Sequence, residues 1–197
     1  MNKYTEKIKK NSIIPLEFYQ QYDVKKGLRD VNGKGVLAGL TNISAIHSFD
    51  EEGDPMSGIL EYRAINIKDI SEHLKAENRF GFEEITYLLL FGELPTLEEL
   101  TTFTQVLAAK RQLPEDFVRD IILEATSCDI MNSISRSILS LATFDSKASE
   151  MTLENVLDQS LCLIANFPLL AIYAYQAYNH YETPAVQGHL RCGPDSP

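Results

Sequence analysis

Residues 82–103, FEEITYLLLFGELPTLEELTTF, constrain the chain more tightly than any other stretch. Phe82, Ile85, Leu88 and Leu89 recur at three- and four-residue spacing, which lays one apolar face along a helix. Gly92 closes that helix, because glycine enters the left-handed conformation of a helix terminus at little cost. Pro95 has no N–H to donate and clashes with a preceding turn, so the first helix cannot run through it. Thr96 and Glu99 follow as a T-x-x-E capping box, which satisfies exposed donors where a second helix begins. Leu97, Leu100, Phe103 and Leu107 carry the apolar face onward, so the hairpin spans 82–110. Its acidic residues Glu93, Glu98 and Glu99 read as a cap and a solvated face, not as a general acid and base.

A chain of 197 residues is long enough to bury a core as one domain. Its hydrophobic share of 44% and charged share of 23% fit a soluble globular protein. A formal net charge of −10 argues against nucleic-acid or membrane-surface binding, both of which need a basic field. His47, His73, His180 and His189 are scattered without metal-ligand spacing, so no metal site is expected. Cys128, Cys162 and Cys192 lack C-x-x-C spacing and read as free thiols in a reducing compartment. The charged start MNKYTEKIKKNS leads into no secretory apolar region, and no apolar run reads as long enough to span a bilayer. A soluble, cytoplasmic protein is the expectation.

Residues 1–26 read as an N-terminal arm, either a docking segment or a frayed lead-in, with a short helix over 15–22 that Pro15 starts. Four glycines and β-favouring stretches near 36–40, 43–49 and 58–62 then predict a small three-strand meander. The NGKG run at 32–35 fits a plain turn better than a phosphate loop, because the full G-x-x-x-x-G-K-[ST] pattern is missing. From Asn66 the chain turns helical: 66–74, the hairpin, a helix opened by Pro114 with Glu115 and Asp116 in its first turn, and another over 130–143. A last helix covers 152–181, capped by Thr152 and interrupted or kinked at Phe167-Pro168. Its LLAIYAY run is apolar on all sides and predicts burial all round, as a core helix or against a partner.

Several of these stretches share wording as well as physics. YLLLFGELPTLEEL, GLRDVNGKGVLAGLTNIS, GILEYRAINIKDI, IMNSISRSILSLATFD and the LIANFP…AY segment resemble, in the same order, blocks of the citrate synthase family. The resemblance covers residues 27–181 and implies a mainly α, multi-helical fold with a small β-element near the N-terminus. It leaves 1–26 as the arm and 182–197, ETPAVQGHLRCGPDSP, as an unmatched tail that a wrong reading frame or a truncation would produce. It implies condensation of acetyl-CoA with oxaloacetate, acetyl-CoA being a substrate with no prosthetic group bound. It also implies a homodimer paired through the helical layer. 2-Methylcitrate synthesis from propionyl-CoA is the close alternative, and a non-catalytic helical interaction module is the alternative from another class.

The family's catalytic histidines, aspartate and most of its substrate-clamping arginines are expected beyond the end of this chain, so none is carried over and the cofactor-binding set stays unknown. His180 reads as the end of the last helix and His189 as tail. Arg29, Arg63 and Arg136 are cations that could reach a phosphate or a carboxylate, with ion pairing the plainer role. Asp129 and Asp145 sit at helix edges without a visible partner. Asn132 stands where the family often has aspartate, and Ala64 where it has glycine. If position 64 needs a positive φ, Ala64 costs about 1 kcal/mol; otherwise it costs nothing.

Overall fold

The computed structural model describes residues 2–21, 40–50 and 52–182. In chain order the elements are α1 (Asn2–Asn11), α2 (Leu16–Gln21), β1 (Ser44–Phe49), β2 (Pro55–Tyr62), β3 (Ile65–Asn66), α3 (Ile67–Ala76), α4 (Phe82–Phe91) and α5 (Leu97–Lys110). A π-helical segment (Val118–Leu123), α6 (Ile130–Leu141), a short 3-10 turn (Ala142–Phe144) and α7 (Leu153–Glu182) follow. The fold is mainly helical with one small antiparallel sheet, as the sequence predicts. The chain forms two compact units, Met1–Phe103 and Thr104–Pro197, described in turn.

In the first unit the sheet is a meander of order β1-β2-β3. Its strands are those expected at 43–49 and 58–62 plus Ile65–Asn66; most of the stretch expected at 36–40 lies outside the described residues, as does NGKG. Tyr62 pairs with Ile65 across a two-residue turn, Arg63-Ala64, whose φ angles are 50° and 62°. Two successive positive φ values define a type I′ hairpin, the turn whose twist matches its strands. Position 64 therefore needs the left-handed conformation, and Ala64 bears the strain that glycine would avoid.

Asn66 then caps α3, its side chain accepting a hydrogen bond from the Lys68 N–H. Gly92 ends α4 at φ 81°, and the Thr96–Glu99 capping box forms in both directions, at 3.1 and 3.3 Å. α1 was not legible as a helix beforehand. It carries few apolar residues, yet Tyr4 stacks on Phe91 at 4.8 Å and meets Tyr87 and Phe103 edge-on. Tyr87, Phe91 and Phe103 are fully buried, so the arm is a docked helix over an aromatic core.

The second unit corrects several expectations. The segment after Pro114 is π-helical, not α-helical: the Glu124 N–H reaches back five residues to the Arg119 carbonyl, and Asp116 sits at φ 59° ahead of the helix instead of in its first turn. The five-residue step puts Phe117 and Ile122 into one core with Leu170 and Ala177. α7 runs unbroken through Pro168. Its buried residues Leu157, Leu161, Ala165, Asn166, Leu170, Ala174 and Ala177 form one stripe at three- and four-residue steps. Pro168 has no N–H for the Ile164 carbonyl, yet the buried stripe carries on past it.

Nor is LLAIYAY buried all round: Ile172 is 57% exposed and Tyr175 is 52% exposed. Leu153–His180 is long and apolar enough to cross a membrane by length and composition, contrary to the reading that no run reaches that size. Cys128 is disulfide-bonded, which overturns the reading of free thiols at that position, while Cys162 is free.

Candidate functional site

Two polar clusters and one cavity hold the chemistry of the described residues. The first cluster grows from the strained turn. Arg63, held by its N–H to the Ile43 carbonyl at 2.8 Å, sends its guanidinium towards the ends of α1 and α4. Nη1 donates to the Asn11 carbonyl at 3.1 Å and to Asn42 Oδ1 at 2.9 Å, and Nη2 donates to the Leu89 carbonyl at 3.0 Å. Asn11 Nδ2 in turn donates to the Phe91 carbonyl at 2.6 Å. A cation is stable there because two helix C-termini present their unpaired carbonyls to it. Burial lowers the Arg63 pKa from its usual value, and Nε has no partner among the described residues. Among the described residues Arg63 thus binds carbonyls, not a carboxylate, which corrects its reading as an ion-pairing residue.

Arg136 behaves alike: it donates to Asn132 Oδ1 at 2.9 Å and to the Ala125 carbonyl at 2.6 Å. The amide at position 132 serves as acceptor there. Asp129 and Asp145 do have partners. Asp129 caps α6 by accepting from the Asn132 N–H, and Asp145 accepts from the Lys147 N–H and from Gln159, bonds that lower its pKa. Glu99 serves α5 as cap and also pairs with Lys3 and Lys7 of α1, while Glu93 pairs with Lys7.

The second cluster lies in the second unit. Lys110 Nζ donates to Asp158 Oδ1 at 2.6 Å and contacts Cys162 Sγ at 3.7 Å, and Cys162 Sγ lies 4.0 Å from Asp158 Oδ2. Buried Asn166 anchors the same end of α5 by donating to the Lys110 carbonyl at 2.9 Å. Burial acts against the Lys110 ammonium, but the Asp158 carboxylate more than offsets it, so the Lys110 pKa is raised. Sequence reading missed this site. Asp158, Cys162 and Asn166 at four-residue intervals are a visible polar stripe, but nothing local ties them to Lys110 on another helix.

A cavity of about 470 Å³ opens between α3 and the start of α4, with Ile67, Ile70, Leu74 and Ile85 lining it and Phe80 at its mouth. Its lining carries Lys75 and Arg79 but no histidine or carboxylate. His47 lies 3.6 Å from Glu61 and His73 lies 3.5 Å from Glu77, which also pairs with Arg79. Among the described residues no cluster of histidine, cysteine and carboxylates has the makings of a metal site. His180 lies in the last turn of α7, and Arg29 and His189 lie outside the described residues.

A family model described as "Citrate synthase, C-terminal domain" matches residues 28–192. The chain belongs to the citrate synthase family. It is 33% identical over 127 residues to citrate synthase of Corynebacterium glutamicum, covering 64% of this chain and 27% of that protein. It is 29% identical over 147 residues to 2-methylcitrate synthase 1 of the same organism, covering 75% of this chain and 34% of that protein. The fold matches citrate synthase from the archaeon Thermoplasma acidophilum, solved with carboxymethyl coenzyme A and oxaloacetate, with a TM-score of 0.59. That match is at 22% identity and covers 80% of this chain and 36% of that one. The chain spans about a third of the length of its curated relatives. The resemblance read from the hairpin and the YRA turn is therefore a family relationship, carried by a chain much shorter than those relatives.

Proposed function

We propose that this chain is the N-terminal part of a citrate synthase, an acyltransferase that condenses acetyl-CoA with oxaloacetate and water to give citrate and CoA in the citric acid cycle. The supporting observation is the family match over residues 28–192 in a chain covering only about a third of its curated relatives. The reaction needs a carboxylate to take a proton from the thioester methyl, with hydrogen-bond donors facing the oxygens where charge develops. That no histidine and carboxylate converge on one cavity among the described residues supports the reading that the chain alone is inactive. Propionyl-CoA, giving 2-methylcitrate, is the second reading, favoured by the relatives that carry that name.

We further propose a homodimer in the cytoplasm, with α6 and α7 at its interface. Its support is the exposed apolar surface of those helices, where Leu139 is 74% and Ile172 57% exposed. The experiment is CoA release from acetyl-CoA or propionyl-CoA with oxaloacetate, read by a thiol reagent against a no-enzyme control. No release is expected from the 197-residue chain. Release that depends on both substrates overturns the inactive reading, and the faster acyl-CoA identifies the substrate. A monodisperse monomer in light scattering overturns the dimer and favours an independent helical module.

A further inference from the structure

We propose that Cys162 and Lys110 form a peroxide-responsive modification site, in which the oxidised thiol is captured by the lysine amine as a covalent sulfur–nitrogen link between α7 and α5. The three reacting groups are already together. Lys110 Nζ lies 3.7 Å from Cys162 Sγ and 2.6 Å from Asp158 Oδ1, and Asp158 Oδ2 lies 4.0 Å from the sulfur. Asn166, itself buried, holds the Lys110 backbone in place, so only the flexible lysine side chain must move to close the gap. Cys162 is half-buried and free, whereas Cys128 is disulfide-bonded, so the lysine is the nucleophile in contact with the thiol.

The chemistry balances with a peroxide as the one co-reactant. Asp158 accepts the thiol proton, and the thiolate attacks a peroxide oxygen. The S–O bond forms as the O–O bond breaks, and the departing hydroxide takes that proton from Asp158 and leaves as water, which frees the carboxylate. The sulfur is now a sulfenic acid, oxidised by two electrons, and the peroxide is reduced. Lys110 then gives a proton to Asp158 and attacks the sulfur through its lone pair. The S–N bond forms as the S–O bond breaks, the departing hydroxide takes the extra proton from the nitrogen and leaves as a second water, and Asp158 releases its proton to solvent. The sum is one thiol, one amine and one hydrogen peroxide giving the linked pair and two waters. The carboxylate serves both steps as proton acceptor, which is why its contact with both side chains matters.

The test treats the 197-residue chain with hydrogen peroxide and follows it by intact mass and tryptic mapping. The expected product is lighter by about 2 Da, joins the Lys110 and Cys162 peptides, loses cleavage after Lys110, and reverts with a thiol reductant. Lys110→Arg keeps a cation beside Asp158 but removes the amine. It should lose the link and instead gain about 16 or 32 Da at Cys162. Cys162→Ser should leave Lys110 cleavable, and the link should fail to form in urea, where the groups are apart. A wild-type chain that gains oxygen at Cys162 with Lys110 still cleaved, shows no change, or links equally well in urea overturns the proposal.

Discussion

The two units bury their apolar residues in opposite styles. In Met1–Phe103 the aromatic core is closed: Tyr87, Phe91 and Phe103 show no exposed surface because α1 lies over them. In Thr104–Pro197, α7 buries one stripe and leaves Phe167, Ile172 and Tyr175 on its open side. Both contain strongly apolar helices, so composition does not distinguish them. The difference is whether the chain itself supplies the cover. A region with its own cover has its stability written into its contacts, and one without it has stability that depends on what else binds.

The sharpest way to break this contrast is to empty the closed core. Phe91→Ala removes a ring stacked on Tyr4 and packed edge-on against Tyr87 and Phe103, and should cost about 3–5 kcal/mol in urea unfolding. Arg63→Ala comes next. It strips charged donors from the Asn11 and Leu89 carbonyls and should cost about 1.5–3 kcal/mol by the same measurement. Ala64→Gly should move the other way and stabilise by about 1 kcal/mol, because the turn holds position 64 at φ 62°. No gain would mean that the neighbouring strands absorb the strain.

Smaller still is the acid response of the arm. Hydrogen bonds from Lys3, from the Thr96 backbone and from Lys7 hold the Glu99 carboxyl down at about 2, against an ordinary 4.5. A depressed carboxyl adds stability above its unfolded pKa, and that contribution fades as pH falls from about 4.5 through about 2. Glu99→Gln should therefore flatten the loss of stability across that window in a pH series of melting curves. The least effect belongs to the open face. Ile172→Ser should change the stability of a monomeric chain by no more than about 0.5 kcal/mol. A much larger loss, or a fall in mass by sedimentation, would show that a second copy covers that face.

The sequence carried the hairpin almost whole, because its punctuation is local: Gly92, Pro95 and the Thr96–Glu99 box each act within a few residues. It posed the question at Ala64 correctly, and only the backbone could answer it. α1 escaped notice because its docking surface is little more than Tyr4, Ile8 and a buried Thr5 among lysines, too sparse to register as a face. The π-helical segment escaped because Phe117, Ile121 and Ile122 suit a 3.6-residue period as well as a wider one. The all-round burial read for α7 failed for a different reason. Hydrophobicity records a demand for cover but not who provides it. The Lys110–Asp158–Cys162 cluster joins residues 48 and 52 positions apart, beyond any periodic signal.

Gly92 has a consequence for how the chain can vary. A methyl group at that position would come within 2.6 Å of Asn11 Cβ, in addition to the strain at φ 81°. The hydrogen atom at the turn of the hairpin is thus a socket for a residue near the start of the chain. The arm and the hairpin are bound to drift together: a lineage that fills the socket must shed or re-route its first helix, and one that keeps the helix has no second choice of amino acid there.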